Sequence, residues 1–122
     1  MTTLPDETLR KILNQIQQRA VSSQRAYNFA QQQMAAKQRE RRIVQLTIDE
    51  LSQLDNDTKM YKGVGKMFLM TPRKEMESEL KAQEKELGDD LNNLAKKSKF
   101  LEKQFNDASG QLRDIFNSAP KQ

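Results

Sequence analysis

The chain has 122 residues, of which 35% are hydrophobic and 31% charged, with a mean hydropathy of −0.92. That is less apolar and more charged than compact soluble domains, and without Trp there is little to fill a thick globular core. The absence of Cys and His excludes disulfides and thiolate metal sites and removes the commonest general base, which weighs against an ordinary enzyme. No apolar run approaches the ~20 residues of a membrane span. The N-terminal Met1-Thr2-Thr3-Leu4-Pro5-Asp6-Glu7 has neither a basic nor an apolar signal region, so no secretory signal is expected.

The net charge of +4 is uneven along the chain. Residues 1–57 hold 8 Lys and Arg against 7 Asp and Glu, and residues 73–122 hold 10 against 10. Lys59, Lys62 and Lys66 supply the remaining +3 from a segment without acids. A nucleic-acid binder would show a longer cationic stripe, so no nucleic-acid partner is expected.

Steps of four and three organise the first half. They run through Leu9, Leu13, Ile16, Ala20, Ser23, Tyr27, Ala30, Met34, Lys37, Arg41, Val44, Ile48 and Leu51, ten of these thirteen being apolar or aromatic. A stripe repeating every ~3.5 residues is a coiled-coil seam. Pro5, Asp6 and Glu7 suit a helix start, and the periodicity predicts a helix over 6–56. At Lys37 and Arg41 the seam turns basic, and long stems along apolar surface are expected to loosen it there.

A break follows. Leu54-Asp55-Asn56-Asp57-Thr58 reads as a helix exit. Met67-Phe68-Leu69-Met70 is an apolar run too short for a helix, read as a strand buried on both sides. Residues 59–64 are its partner, with a turn near Gly65-Lys66, so a β-hairpin is predicted over 58–71. An isolated two-stranded hairpin is marginal in water, so this one must pair with others, and oligomerisation is expected.

The second seam runs through Leu80, Glu84, Leu87, Leu91, Leu94, Ser98, Leu101, Phe105, Ala108, Leu112 and Ile115, nine of eleven apolar. Thr71 as N-cap and Pro72 at the first helical position predict a helix over 72–117, with 118–122 a frayed tail. Two matched helices of about 70 Å at 1.5 Å per residue should close as an antiparallel hairpin, giving a single mainly α domain over 1–122.

Catalytic signatures fail on inspection. Gly63-Val64-Gly65-Lys66 lacks the flanking residues of a phosphate loop, because Met60 and Met67 stand where Gly and Ser or Thr are needed. Asp89 and Asp90, adjacent on a helix, point about 100° apart and read as a solvated face rather than metal ligands. No catalytic residue, cofactor or metal site is expected.

Tyr61-Lys62-Gly63-Val64-Gly65-Lys66-Met67-Phe68-Leu69, between two matched heptad helices, resembles the hairpin of the β-type prefoldin subunits, closest to the subunit 1 branch in eukaryotes. The resemblance implies an ATP-independent cochaperone built from two α-type and four β-type subunits, whose hairpins form a β-barrel platform. It implies cytoplasmic capture of unfolded clients, actin and tubulin among them, at the coiled-coil tips, and their delivery to the cytosolic chaperonin. On this sequence Tyr61, Val64, Met67, Phe68, Leu69 and Met70 would serve assembly. Leu9, Ile12, Leu13, Ile16, Phe105, Leu112, Ile115 and Phe116 would meet clients, joined by Leu4. Ile12 and Phe116 lie off the strict seam, where exposed apolar surface is expected. A structural coiled-coil scaffold or tether is the alternative, and it assigns Met67–Met70 no role.

Overall fold

The computed structural model of the protein describes residues 6–118. The order of elements is α1 (Asp6–Gln53), β1 (Tyr61–Val64), β2 (Met67–Met70) and α2 (Arg73–Ser118). The mainly α architecture with one short β-hairpin is the one expected from the heptads.

The chain divides into two compact units. One holds the described parts of 1–33 and 94–122, and the other holds Met34–Asn93. In the first, α1 and α2 run antiparallel around a small core of Ile16, Ala20 and Ala108, against which Ile12, Phe105, Leu112 and Ile115 pack. A seam between two helices covers only one stripe of each, so among the described residues no large side chain is fully buried. Two seam positions are polar, Ser23 and Ser98, and both are buried. Gln31 Nε2 donates to the Ser98 hydroxyl at 2.8 Å, which satisfies that group and fixes the level of one helix against the other.

The second unit carries the hairpin. Its antiparallel register pairs Tyr61 with Met70, Lys62 with Leu69, Gly63 with Phe68 and Val64 with Met67. The two-residue loop is Gly65-Lys66, and Gly65 adopts φ +62° while Lys66 stays negative, the φ signs of a type II′ turn. One more bond, from Thr71 N to Met60 O at 2.9 Å, extends the pairing to the hairpin base, where Met60 is buried.

Three local expectations need correction. Helix α1 stops at Gln53, three residues short of the predicted end, where Arg73 takes up carbonyls of its last turn and of the residues just beyond. The guanidinium donates to Leu51 O, to Leu54 O at 2.9 Å and to Asp55 O at 3.1 Å. Thr71 is not the N-cap of α2. Its hydroxyl donates to Leu69 O at 3.3 Å, while Pro72 O accepts the first helical bond from Met76 N at 3.0 Å. Finally, β2 is not buried on both sides, since every residue of both strands is exposed. Within one chain a hairpin has nothing to lie against.

The basic stretch of the first seam is held rather than loosened. Arg41 Nη2 sits 2.9 Å from Glu84 Oε1, which also accepts from Gln45 Nε2 at 3.2 Å, and Lys37 Nζ stands 3.6 Å from Asp90 Oδ2. Gly88 makes room for this cluster, because a Cβ there would stand 3.3 Å from Arg41 Nη2.

Candidate functional site

Two sets of residues are candidates, the hairpin and the apolar residues of the first unit. In the hairpin, alternation places Tyr61, Gly63, Phe68 and Met70 on one face and Lys62, Val64, Met67 and Leu69 on the other. Both faces are therefore apolar, Lys62 apart, and all six residues expected to serve assembly lie together on them. Phe68 is the most open at 76% exposure. Its ring leans across the ladder over Gly63, with Cε1 3.7 Å from where a Cβ would be, an ordinary contact distance that leaves room for a small side chain there.

The base of this hairpin is anchored. Lys62 Nζ bonds Glu79 Oε2 at 2.7 Å, tying β1 to α2. Arg73 bonds Glu77 Oε1 at 3.1 Å on its own helix while its other nitrogens reach the end of α1. A compact apolar surface is thus presented on a braced support. Exposed apolar patches of this kind mark interaction sites.

In the first unit the expected client residues separate by depth. Ile16 belongs to the core, and Ile12, Phe105, Leu112 and Ile115 pack against it. Ile12 therefore departs from expectation: although off the strict seam, it is half-buried, because its side chain reaches the same core as Ile16. Leu9 and Leu13 are half-buried, while Phe116 is 69% exposed. Leu13, Leu112 and Phe116 line one groove with Arg10, Asn14 and Gln17. Leu4 lies outside the described residues.

Among the described residues the one clearly perturbed ionisable group is Glu84. Hydrogen bonds from Gln45 and Arg41, together with the Arg41 charge, hold its carboxyl below the ordinary carboxylate value despite an opposing effect of burial. Among the described residues no His, Cys, Asp and Glu cluster suits a metal ion, and no helix is long and apolar enough to cross a membrane.

Sequence reasoning missed several exposed aromatic and aliphatic side chains outside the seams, chiefly Phe29, Ile43 and Phe100. The seam template registers only seam positions, and the signal that was available was a large apolar residue standing one place before a seam residue.

Comparison with known proteins agrees with this geometry. Residues 11–119 match the family model described as "Prefoldin subunit". The chain is 33% identical over 91 residues to a probable prefoldin subunit 1 of Dictyostelium discoideum, covering 75% of this chain and 79% of that one. It is 31% identical over 110 residues to the probable prefoldin subunit 1 of Schizosaccharomyces pombe (strain 972 / ATCC 24843), covering 90% and 98%. In fold it is similar to the crystal structure of the prefoldin β subunit from Thermococcus strain KS-1, with a TM-score of 0.79 at 23% identity over 99% of this chain and 100% of that one.

Proposed function

The chain belongs to the prefoldin subunit family, a family of chaperone subunits, and from that premise we propose that it is one β-type subunit of a heterohexameric, ATP-independent cochaperone. In this reading two α-type and four β-type chains join through their hairpins into a β-barrel platform. Tyr61, Val64, Met67, Phe68, Leu69 and Met70 supply this chain's share of the contacts. Unfolded or nascent proteins, actin and tubulin included, are held by apolar residues around Phe116 and passed to the cytosolic chaperonin in the cytoplasm. The reading assigns the chain no catalytic step and no cofactor.

One observation carries the proposal: a well-formed hairpin whose two faces are both apolar and both exposed. A two-stranded sheet of this kind is marginal alone, and its edges and faces are satisfied together when other strands extend and close the sheet. Capture follows from the mode of contact. Unfolded clients offer apolar segments without fixed shape, and several weak contacts from neighbouring subunits hold such a segment better than one rigid pocket.

The test is the native mass of the complex recovered with this chain from cells. A six-chain assembly of different subunits, about six times 14.2 kDa if they are of similar size, is expected. Phe68→Asp should prevent that assembly, because it places an unpaired charge among packed apolar side chains. A homodimer overturns the proposal in favour of a structural coiled coil, and a normal hexamer with Phe68→Asp overturns the hairpin's part in assembly.

A further inference from the structure

Charge and exposed aromatics coincide in one place that neither proposed surface uses. From Thr8 to Arg39, α1 contains no acid. Across from it α2 carries Lys96, Lys97, Lys99 and Lys103, with Glu102 alone among them. The near-zero balance of each half of the chain hides this, because the acids that offset these cations lie elsewhere along the helices. All four ion pairs among the described residues fall within 34–93. Arg25, Lys96, Lys97 and Lys103 are exposed and have no acidic partner among the described residues.

Phe29 and Phe100 stand among these cations, 60% and 61% exposed. The Gln31–Ser98 bond sets them at one level, since Phe29 lies two residues before Gln31 and Phe100 two after Ser98 on helices running in opposite directions. They also share a flank. Each precedes a seam residue by one place, Ala30 and Leu101, and equivalent heptad positions of antiparallel helices fall on the same side of the pair. The opposite flank is the groove lined by Gln24, Tyr27, Asn28, Glu102, Phe105 and Asn106, so Glu102 faces away from the two rings. Around Phe100, Lys96, Lys97 and Lys103 occupy the i−4, i−3 and i+3 positions that surround a residue on a helix surface, and Arg25 holds i−4 of Phe29.

We propose that this flank is a docking surface for an acidic segment of a partner protein that carries an apolar side chain. The apolar group covers Phe29 and Phe100, and carboxylates meet Arg25, Lys96, Lys97 and Lys103. Charge complementarity selects the occupant: four unpaired cations around two rings leave a positive field whose apolar centre has no cover. A peptide fits better than a nucleic acid. The cationic patch extends little more than one helical turn to either side of Phe100, and Asp107 on the same flank would repel a phosphate chain continuing along the helix.

Fluorescence anisotropy on the full chain, in the assembly in which it is purified, tests this. The probes are a labelled peptide of Asp and Glu around a central Trp, a twin with Asn and Gln replacing the acids, and a single-stranded oligouridylate. The acidic peptide should bind, weaken as salt rises, and lose about tenfold or more in affinity when Lys96, Lys97 and Lys103 become Glu. Phe29→Ser with Phe100→Ser should weaken it as well, and both variants should keep the helical circular dichroism because all five side chains are exposed. Equal binding of the amide twin, no binding of the acidic peptide, or variants that bind as the parent does would each overturn the proposal. Tighter binding of the oligouridylate would overturn it in favour of a nucleic acid.

Discussion

Arg41 and Glu84, both at seam positions, form a 2.9 Å ion pair where the two heptad stripes would otherwise set apolar residues against each other. Gln45 adds a second bond to the same Glu84 oxygen, and Gly88 leaves the guanidinium the space it occupies. A polar pair inside a seam fixes register, because sliding either helix by one turn breaks the pair and sets Arg41 against an apolar seam residue, Leu80 or Leu87.

The sign of its pH dependence follows from the lowered Glu84 carboxyl. A group whose folded-state value is depressed stabilises the fold at pH above its unfolded value, and loses that contribution as pH falls through the folded one. Glu84→Gln should therefore lower the thermal midpoint at neutral pH and flatten its decline on acidification. Thermal melts followed by circular dichroism between neutral and acidic pH check this. Parallel declines for parent and variant would show that the pair does not contribute.

Arg73 gives a larger effect. Its guanidinium serves Leu51 O in the last turn of α1, Leu54 O and Asp55 O just beyond it, and the Glu77 carboxylate at once, a fork that Lys cannot reproduce. Arg73→Ala should cost about 2 kcal/mol, the scale of charge-assisted hydrogen bonds whose acceptors lose their partner. Arg73→Lys should recover only part of it. Denaturant melts of the three proteins order them, and equal midpoints would remove Arg73 from the helix end.

Much of this architecture is legible in the sequence, and the exceptions share a cause. Periodicity locates α1 and α2 because Leu, Ile and Ala recur at seam spacing, and Gly65 with Met67–Met70 locates the hairpin. The early stop of α1 is not legible, since the residue that takes up carbonyls there, Arg73, lies 19 positions beyond Leu54. Lys37 and Arg41 look like a weak point until Glu84 and Asp90 are placed opposite them, and Phe29 and Phe100 look unrelated until the antiparallel pairing sets them level. Each miss is a contact between distant segments, which a pattern within one segment does not encode. The hairpin shows the same limit from the other side: a run that reads as buried is exposed here, because among the described residues of one chain nothing lies over its faces.

The two hairpin glycines should respond differently to Ala. Gly65 holds φ +62°, a conformation that costs a side-chain-bearing residue about 1 kcal/mol or more, whereas Gly63 has no such φ and a Cβ there would meet Phe68 at an ordinary 3.7 Å. Gly65→Ala should weaken recovery of the assembled complex, Gly65→Asn should restore it, and Gly63→Ala should leave it near the parent level. Native mass measurements on co-expressed subunits read all three. Equal loss from Gly63→Ala and Gly65→Ala would mean that the positive φ of Gly65 does not set the response of the hairpin.

Phe116 and Ile115 are neighbours with different duties. Ile115 packs against the core of Ile16, Ala20 and Ala108, while Phe116 is exposed and lines a groove with Leu13 and Leu112. Ile115→Ser should lower stability by about 2 kcal/mol or more, through lost burial and a hydroxyl placed against apolar neighbours. Phe116→Ser should leave the thermal midpoint nearly unchanged, since the ring is already largely in water, and should weaken suppression of aggregation of a chemically unfolded client. The comparison separates capture from folding because one variant changes stability and the other changes the exposed surface. If Phe116→Ser suppresses aggregation as well as the parent does, client contact must rest on residues other than Phe116.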